Sequence, residues 1–154
     1  MINEFFLPSE EQEGVEGTAD VLVYSLFPFN GKVETFITND EFVVVIAKQD
    51  FPRERSAGLQ CRFKADIRNG EHAYNEKLEM SIIYILSEKV PGGGTRSRPY
   101  PAVYGSGTVD VNFDLVKGTL ALGFKLKVQN DPSEPRLDAN GSFKKVSGLK
   151  HVKM

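Results

Sequence analysis

Residues 108–129, TVDVNFDLVKGTLALGFKLKVQ, alternate apolar and polar side chains up one arm, reverse at a glycine and alternate back down the other. Val109, Val111, Phe113 and Leu115 share one parity on the first arm, and Leu120, Leu122, Phe124, Leu126 and Val128 share one on the second. A period of two marks a strand with one dry face, so the stretch reads as a β-hairpin. With Lys117 and Gly118 as a two-residue loop, Val116 pairs with Thr119, Val111 with Phe124 and Phe113 with Leu122, and Asp110 faces Lys125 on the wet side. That register joins apolar to apolar and acid to base together, the arrangement that stabilises cross-strand pairs.

Outward from the hairpin, the same alternation recurs between turn residues. Residues 20–29 carry Val21 and Val23 on one face and Leu22, Tyr24 and Leu26 on the other, and Pro28, Asn30 and Gly31 end the run. Residues 33–38 and 42–48 read as two further strands around a turn at Asn39 and Asp40. In residues 59–67, Leu59, Cys61, Phe63, Ala65 and Ile67 alternate with Gln60, Arg62, Lys64 and Asp66; residues 78–87 form a fifth strand, and 142–146 a short last one. Residues 91–101 read as a glycine- and proline-rich loop. No helical period, internal repeat or dividing linker interrupts this series. The expectation is an all-β fold: a single-domain antiparallel β-sandwich, or a closed or partly open barrel, of about seven to eight strands. The domain spans 1–154, with an acidic N-terminal segment 1–17 and a basic C-terminal tail 144–154.

At 154 residues the chain is long enough to bury about two thirds of its unfolded surface without staples. One cysteine, Cys61, permits no internal disulfide, and its place in an alternating apolar run reads as a small buried hydrophobe. A net charge of −2 argues against a nucleic-acid binder working by bulk electrostatics. Residues 1–12 show neither the basic nor the apolar region of a signal peptide, and no apolar run is long enough to span a membrane. A soluble, cytoplasmic or otherwise intracellular protein is expected. The charge is unevenly placed, with Glu4, Glu10, Glu11, Glu13, Glu16 and Asp20 at one end and Lys144, Lys145, Lys150, His151 and Lys153 at the other.

Several strands are apolar on both faces, whereas an antiparallel sheet normally keeps one face wet. Val44, Ile46, Ile83 and Ile85 are the outward residues in question, and a second copy of the chain is their expected cover. These four therefore stand as candidate interface residues.

The catalytic inventory is thin. His72 and His151 lie far apart in sequence, neither at metal-ligand spacing, and no nucleophile elbow, phosphate loop or dinucleotide fingerprint is present. No catalytic residue, metal or cofactor is assigned. Asp110, Asn112 and Asp114 project in a row rather than curling about an ion, and the acids near Asn130 suit any long turn. The most distinctive loop, 91–101, brings Arg96 and Arg98 between three glycines and the aromatic Tyr100 and Tyr104, a set suited to an anion or an acidic partner. The function expected is non-enzymatic: protein–protein contact, with copies of the chain itself, as an assembly subunit. The alternatives are a β-barrel for a small apolar ligand, and an enzyme of the isomerase, cyclase or hydrolase kind.

Overall fold

The computed structural model of the chain describes residues 12–152. Its strands are β1 (Glu16–Val23), β2 (Phe29–Thr38), β3 (Phe42–Phe51), β4 (Arg55–Lys64), β5 (Gly70–Ala73), β6 (Ser81–Lys89), β7 (Thr95–Pro101), β8 (Thr108–Asp114), β9 (Thr119–Val128), β10 (Leu137–Ser147) and β11 (Lys150–His151). A single 3-10 turn, Glu76–Leu78, precedes β6, capped by the Asn75 side chain. Among the described residues no helix is long and apolar enough to cross a membrane.

All eleven strands belong to one sheet, in the order β5-β8-β9-β10-β1-β2-β3-β4-β6-β7, with β11 on β2. Every pairing is antiparallel except the two-residue contact of β11 with β2. The expected all-β antiparallel fold is thus present, and of the expected sandwich or closed or partly open barrel the structure shows one curled, half-barrel sheet, with more strands than the seven to eight expected. Past β7 the chain turns back to β9: Ala102 bridges Val128, the Val103 amide donates to Lys127 at 2.8 Å, and the Gln129 amide donates to Pro101 at 3.1 Å. At Gly107 a β-carbon would lie 1.9 Å from the Lys125 carbonyl oxygen, so only glycine lets the chain pass this close before β8 begins.

The hairpin of β8 and β9 keeps the expected faces but not the expected register. Val111 pairs with Leu122 and Phe113 with Leu120, two residues from the expected partners. The connection is longer than two residues, because the Asp114 carboxylate accepts the Lys117 amide at 2.9 Å, its carbonyl accepts the Gly118 amide at 2.8 Å, and Gly118 takes φ 68°. Leu115 and Val116, read as strand positions, are exposed at the tip of this turn. A shift of two leaves each side chain on its own face, so the core is unaffected.

Three strands were not read from sequence. β7 lay hidden in the glycine- and proline-rich stretch: only residues ahead of Thr95 form the loop, and Pro99 and Pro101 sit in a strand at the end of the sheet path, where a missing amide need not face a partner. β5 is polar and short, and β11 is two residues long.

One face of the sheet turns inward, and its side chains form a single apolar cluster drawn from β1 to β10. Phe113 of β8 meets Phe63 of β4 edge-on at 5.2 Å and Phe36 of β2 at 6.4 Å between ring centroids, contacts between strands that are not neighbours in the sheet. These rings span the curl. Outside it, Ile37, Phe42 and Val44 are also buried, although they are not part of the inner cluster. The Arg62 guanidinium lies 4.8 Å over the Phe42 ring, in cation–π contact.

The two ends of the described residues meet at β2. Gln12 is buried: its side chain accepts the Phe36 amide at 2.8 Å and donates to the Gly148 carbonyl at 2.8 Å, while its own amide donates to Glu34. Lys144 lies 3.3 Å from Asp20, so the oppositely charged ends pair within one chain at that point, whereas His151 lies 2.9 Å from Asp40 of the β2–β3 turn. Glu4, Glu10, Glu11 and Lys153 lie outside the described residues.

Two predictions follow from this interior. Phe113→Ala removes the ring that spans the curl and is expected to lower the unfolding free energy by about 3–5 kcal/mol in a urea titration. Burial pushes the Cys61 thiol and the Tyr74 phenol well above their ordinary values of 9.0 and 10.0. The unfolded chain therefore loses these protons first, and stability is expected to be flat below about pH 9 and to fall above it by about 1 kcal/mol per pH unit or more. Thermal melts from pH 7 to 11 check this.

Candidate functional site

Side chains fill the curl through its middle but not at one end. There the β1–β2 and β3–β4 turns, the adjoining parts of β4, β6 and β7 and Asn130 after β9 surround a cavity of about 1070 Å³ that opens to solvent. Its position follows from strand parity. On β4 the inward residues Leu59 and Ala57 are followed toward this end by Arg55; on β6 Ile82 and Tyr84 are followed by Leu86 and Glu88. On β7 the inward Tyr100 is preceded by Arg98 and Arg96. Leu26, Phe27 and Pro28 of the β1–β2 turn and Phe51 at the end of β3 supply apolar walls.

The rim carries charge. Arg96 donates from Nε to the Glu88 carboxylate at 2.9 Å and from a terminal nitrogen to the same oxygen. That hydrogen bond, then the Arg96 charge, and more weakly Arg55, hold Glu88 below the usual carboxylate range. Arg55 donates from Nε to the Pro52 carbonyl at 3.3 Å, which orients it along the β3–β4 turn. The Tyr100 side chain beside Arg98, and after it Glu134, raise the pKa of Arg98. Among the described residues neither Arg55 nor Arg98 has a carboxylate within ion-pair distance. Asn130 donates to the Pro99 carbonyl at 2.7 Å and ties the β9–β10 loop to β7.

At the floor lies Tyr84, the one buried residue among the described lining residues, at 1% exposure. Its ring stands edge-on to Phe29 at 5.8 Å and tilted to Tyr100 at 6.3 Å. Its hydroxyl is buried and has no hydrogen-bond partner among the described residues. Burial, reinforced by Tyr100, pushes its pKa up to about 12, so the phenol stays protonated at neutral pH. Tyr74, equally buried, shows the ordinary solution: its hydroxyl accepts the Ile82 amide at 3.1 Å. A buried polar atom without a partner is uncommon in a folded chain, and one carried by a side chain that lines a cavity marks a place where a ligand group reaching past the wall can complete it. The other such atom among the described residues, a terminal nitrogen of Arg62, belongs to the outer face.

Of the residues singled out from sequence, the structure brings Arg96, Arg98 and Tyr100 to this end of the curl. Tyr104 stands apart, stacked on Tyr74 at 5.2 Å with its hydroxyl donating to the Met80 carbonyl. Arg55 and Glu88 were not anticipated. Val44 is buried, and Ile46, Ile83 and Ile85 are half-buried in the single chain. The large exposed apolar side chains near the cavity are instead Leu22, Tyr24 and Phe27.

Two of the acids weighed as metal ligands are otherwise engaged. Asp131 accepts from the amide and hydroxyl of Ser133, which lower its pKa, and Asp138 pairs with Lys127 at 2.6 Å. Among the described residues no group of three or more His, Cys, Asp or Glu is placed to hold a metal ion. His72 contacts the Arg68 carbonyl at 2.6 Å, and Cys61 is buried with its thiol pushed up by desolvation. No protein-family model, no curated protein and no solved structure matches the chain.

The unpartnered hydroxyl carries its own test. Tyr84→Phe is expected to raise the unfolding free energy by about 1 kcal/mol in urea, because it removes an unsatisfied buried group and keeps the ring. A loss of similar size would mean that the hydroxyl already has a partner.

Proposed function

We propose that this chain is a binding domain, acting without catalysis, that takes a small and largely apolar molecule into the open end of its curled sheet. The observation that carries the reading is the cavity itself. At about 1070 Å³ it is of the size that holds drug-sized ligands, and Leu26, Phe27, Phe51 and Leu86 give it apolar walls with a few polar groups between them. The middle of the curl, by contrast, is filled by Phe36, Phe63 and Phe113 and offers no second compartment along that line.

A second reading, contact with other protein chains including copies of itself, is supported by a different observation. Leu22, Tyr24 and Phe27 are 59%, 70% and 75% exposed at the end of β1 and in the turn after it. Val44, Ile46, Ile83 and Ile85 offer this reading less free surface.

A fluorescence titration with the uncharged probe phenylnaphthylamine, run alongside sedimentation at micromolar concentration, separates the two. Binding is expected to saturate at one probe per chain on a monomer. Leu86→Trp, which narrows the cavity, is expected to weaken binding about tenfold. Absence of saturable binding, with a dimer in sedimentation, would transfer the proposal to the second reading.

A further inference from the structure

We infer that the ligand of this cavity is an amphipathic monoanion whose acidic group is held at the rim by Arg55 and Arg98, and whose far end carries a hydrogen-bonding group that completes the Tyr84 hydroxyl. The inference rests on the binding function proposed above and adds the chemistry of what is bound.

Three observations converge on it. First, the rim guanidinia are unequal. Arg96 is committed to Glu88, whereas Arg55 and Arg98 have no carboxylate within ion-pair distance among the described residues. Counting Arg55, Arg96 and Arg98 against Glu88, the lining carries a net charge of +2 (three minus one) beside apolar walls. A guanidinium with free donors next to a low-dielectric wall favours a carboxylate or similar anion, through charge-assisted hydrogen bonds.

Second, Arg98 and Tyr100 are two residues apart on one strand, and Tyr100 pairs with Tyr84 on the next. Rim and floor are therefore separated by about 7 Å along β7 at the ordinary strand rise, and by about twice that from Arg55, which pairs with Glu88 four residues beyond Tyr84. A molecule with polar ends and an apolar body of intermediate length fits that span.

Third, the Tyr84 side chain is part of the wall, and its hydroxyl, closed to solvent behind that wall, has no hydrogen-bond partner among the described residues. It can donate to or accept from a ligand, but nothing else in the described structure meets it. Each observation alone describes one end of a site; together they specify a molecule with charge outside and one polar group inside.

The experiment uses two pairs of probes on the full chain. Anilinonaphthalene sulfonate is expected to bind one to one and about tenfold more tightly than its uncharged parent phenylnaphthylamine, and the double substitution Arg55→Gln with Arg98→Gln is expected to bring that ratio close to one. Both arginines are exposed, so circular dichroism is expected to show the folded protein in this variant. In displacement of the sulfonate, ω-hydroxydodecanoate is expected to compete several-fold better than dodecanoate, and Tyr84→Phe to erase that difference while dodecanoate still competes. Equal binding of charged and uncharged probes would overturn the anion assignment and leave the cavity reading standing. Equal competition by the two fatty acids would overturn the assignment to Tyr84. If no probe binds, the inference falls together with the function it rests on.

Discussion

The contact of Phe113 with Phe63 on one side and Phe36 on the other is the constraint on which this structure turns. Ladder hydrogen bonds join each strand only to its neighbours and would permit a flatter sheet. Contacts between strands that are not neighbours require curvature. Three edge-on rings bury apolar area across the curl and do so in the geometry that their quadrupoles favour. The turn-back of the chain from β7 to β9 through Ala102, with the bare backbone of Gly107 against Lys125, then joins one end of the sheet path to β9, the third strand from the other end.

From that constraint the site follows. Large rings fill the middle of the curl, while the strands continue beyond them toward the β6–β7 end, where the inward positions become Arg55, Leu86, Glu88, Arg96 and Arg98. Charged side chains cannot be packed into a dry interior without partners, so this end stays open. Tyr84 marks the boundary between the two regimes, its ring packed in the core and its hydroxyl unsatisfied beside the cavity. The chain thus keeps a local cost in stability at the place where function is proposed, as binding sites commonly do.

Much of the architecture was legible in local pattern. Alternation in 108–129 identified which residues face the core, because parity is a property of each strand by itself. Register was not legible, because the Asp114 carboxylate organises a longer turn than the glycine alone suggests. β7 was hidden by its prolines, which mark a loop in most contexts and are admitted here only by an edge position that local sequence does not reveal. For the site, Arg96, Arg98 and Tyr100 were found because they are close in sequence. Arg55 and Glu88 were not, since what joins them to that stretch is the pairing of β4 with β6 and of β6 with β7. Their only local signal was an arginine and a glutamate continuing the inward parity of otherwise apolar strands.

The reach of one chain also decides how its outer surface is read. Ile37 and Val44 are buried without joining the inner cluster, and Gln12 bolts the chain between β2 and Gly148, so β2 is engaged on its outward face and along its edge as well as inward. The central claim, however, concerns the inside: one sheet rolled about a spanning aromatic contact, with a hollow only at its end. The most direct measurement is a nuclear Overhauser spectrum of the protein in solution with assigned phenylalanine rings. The account predicts cross-peaks from the Phe113 ring to both Phe36 and Phe63; their absence in a folded sample would contradict it.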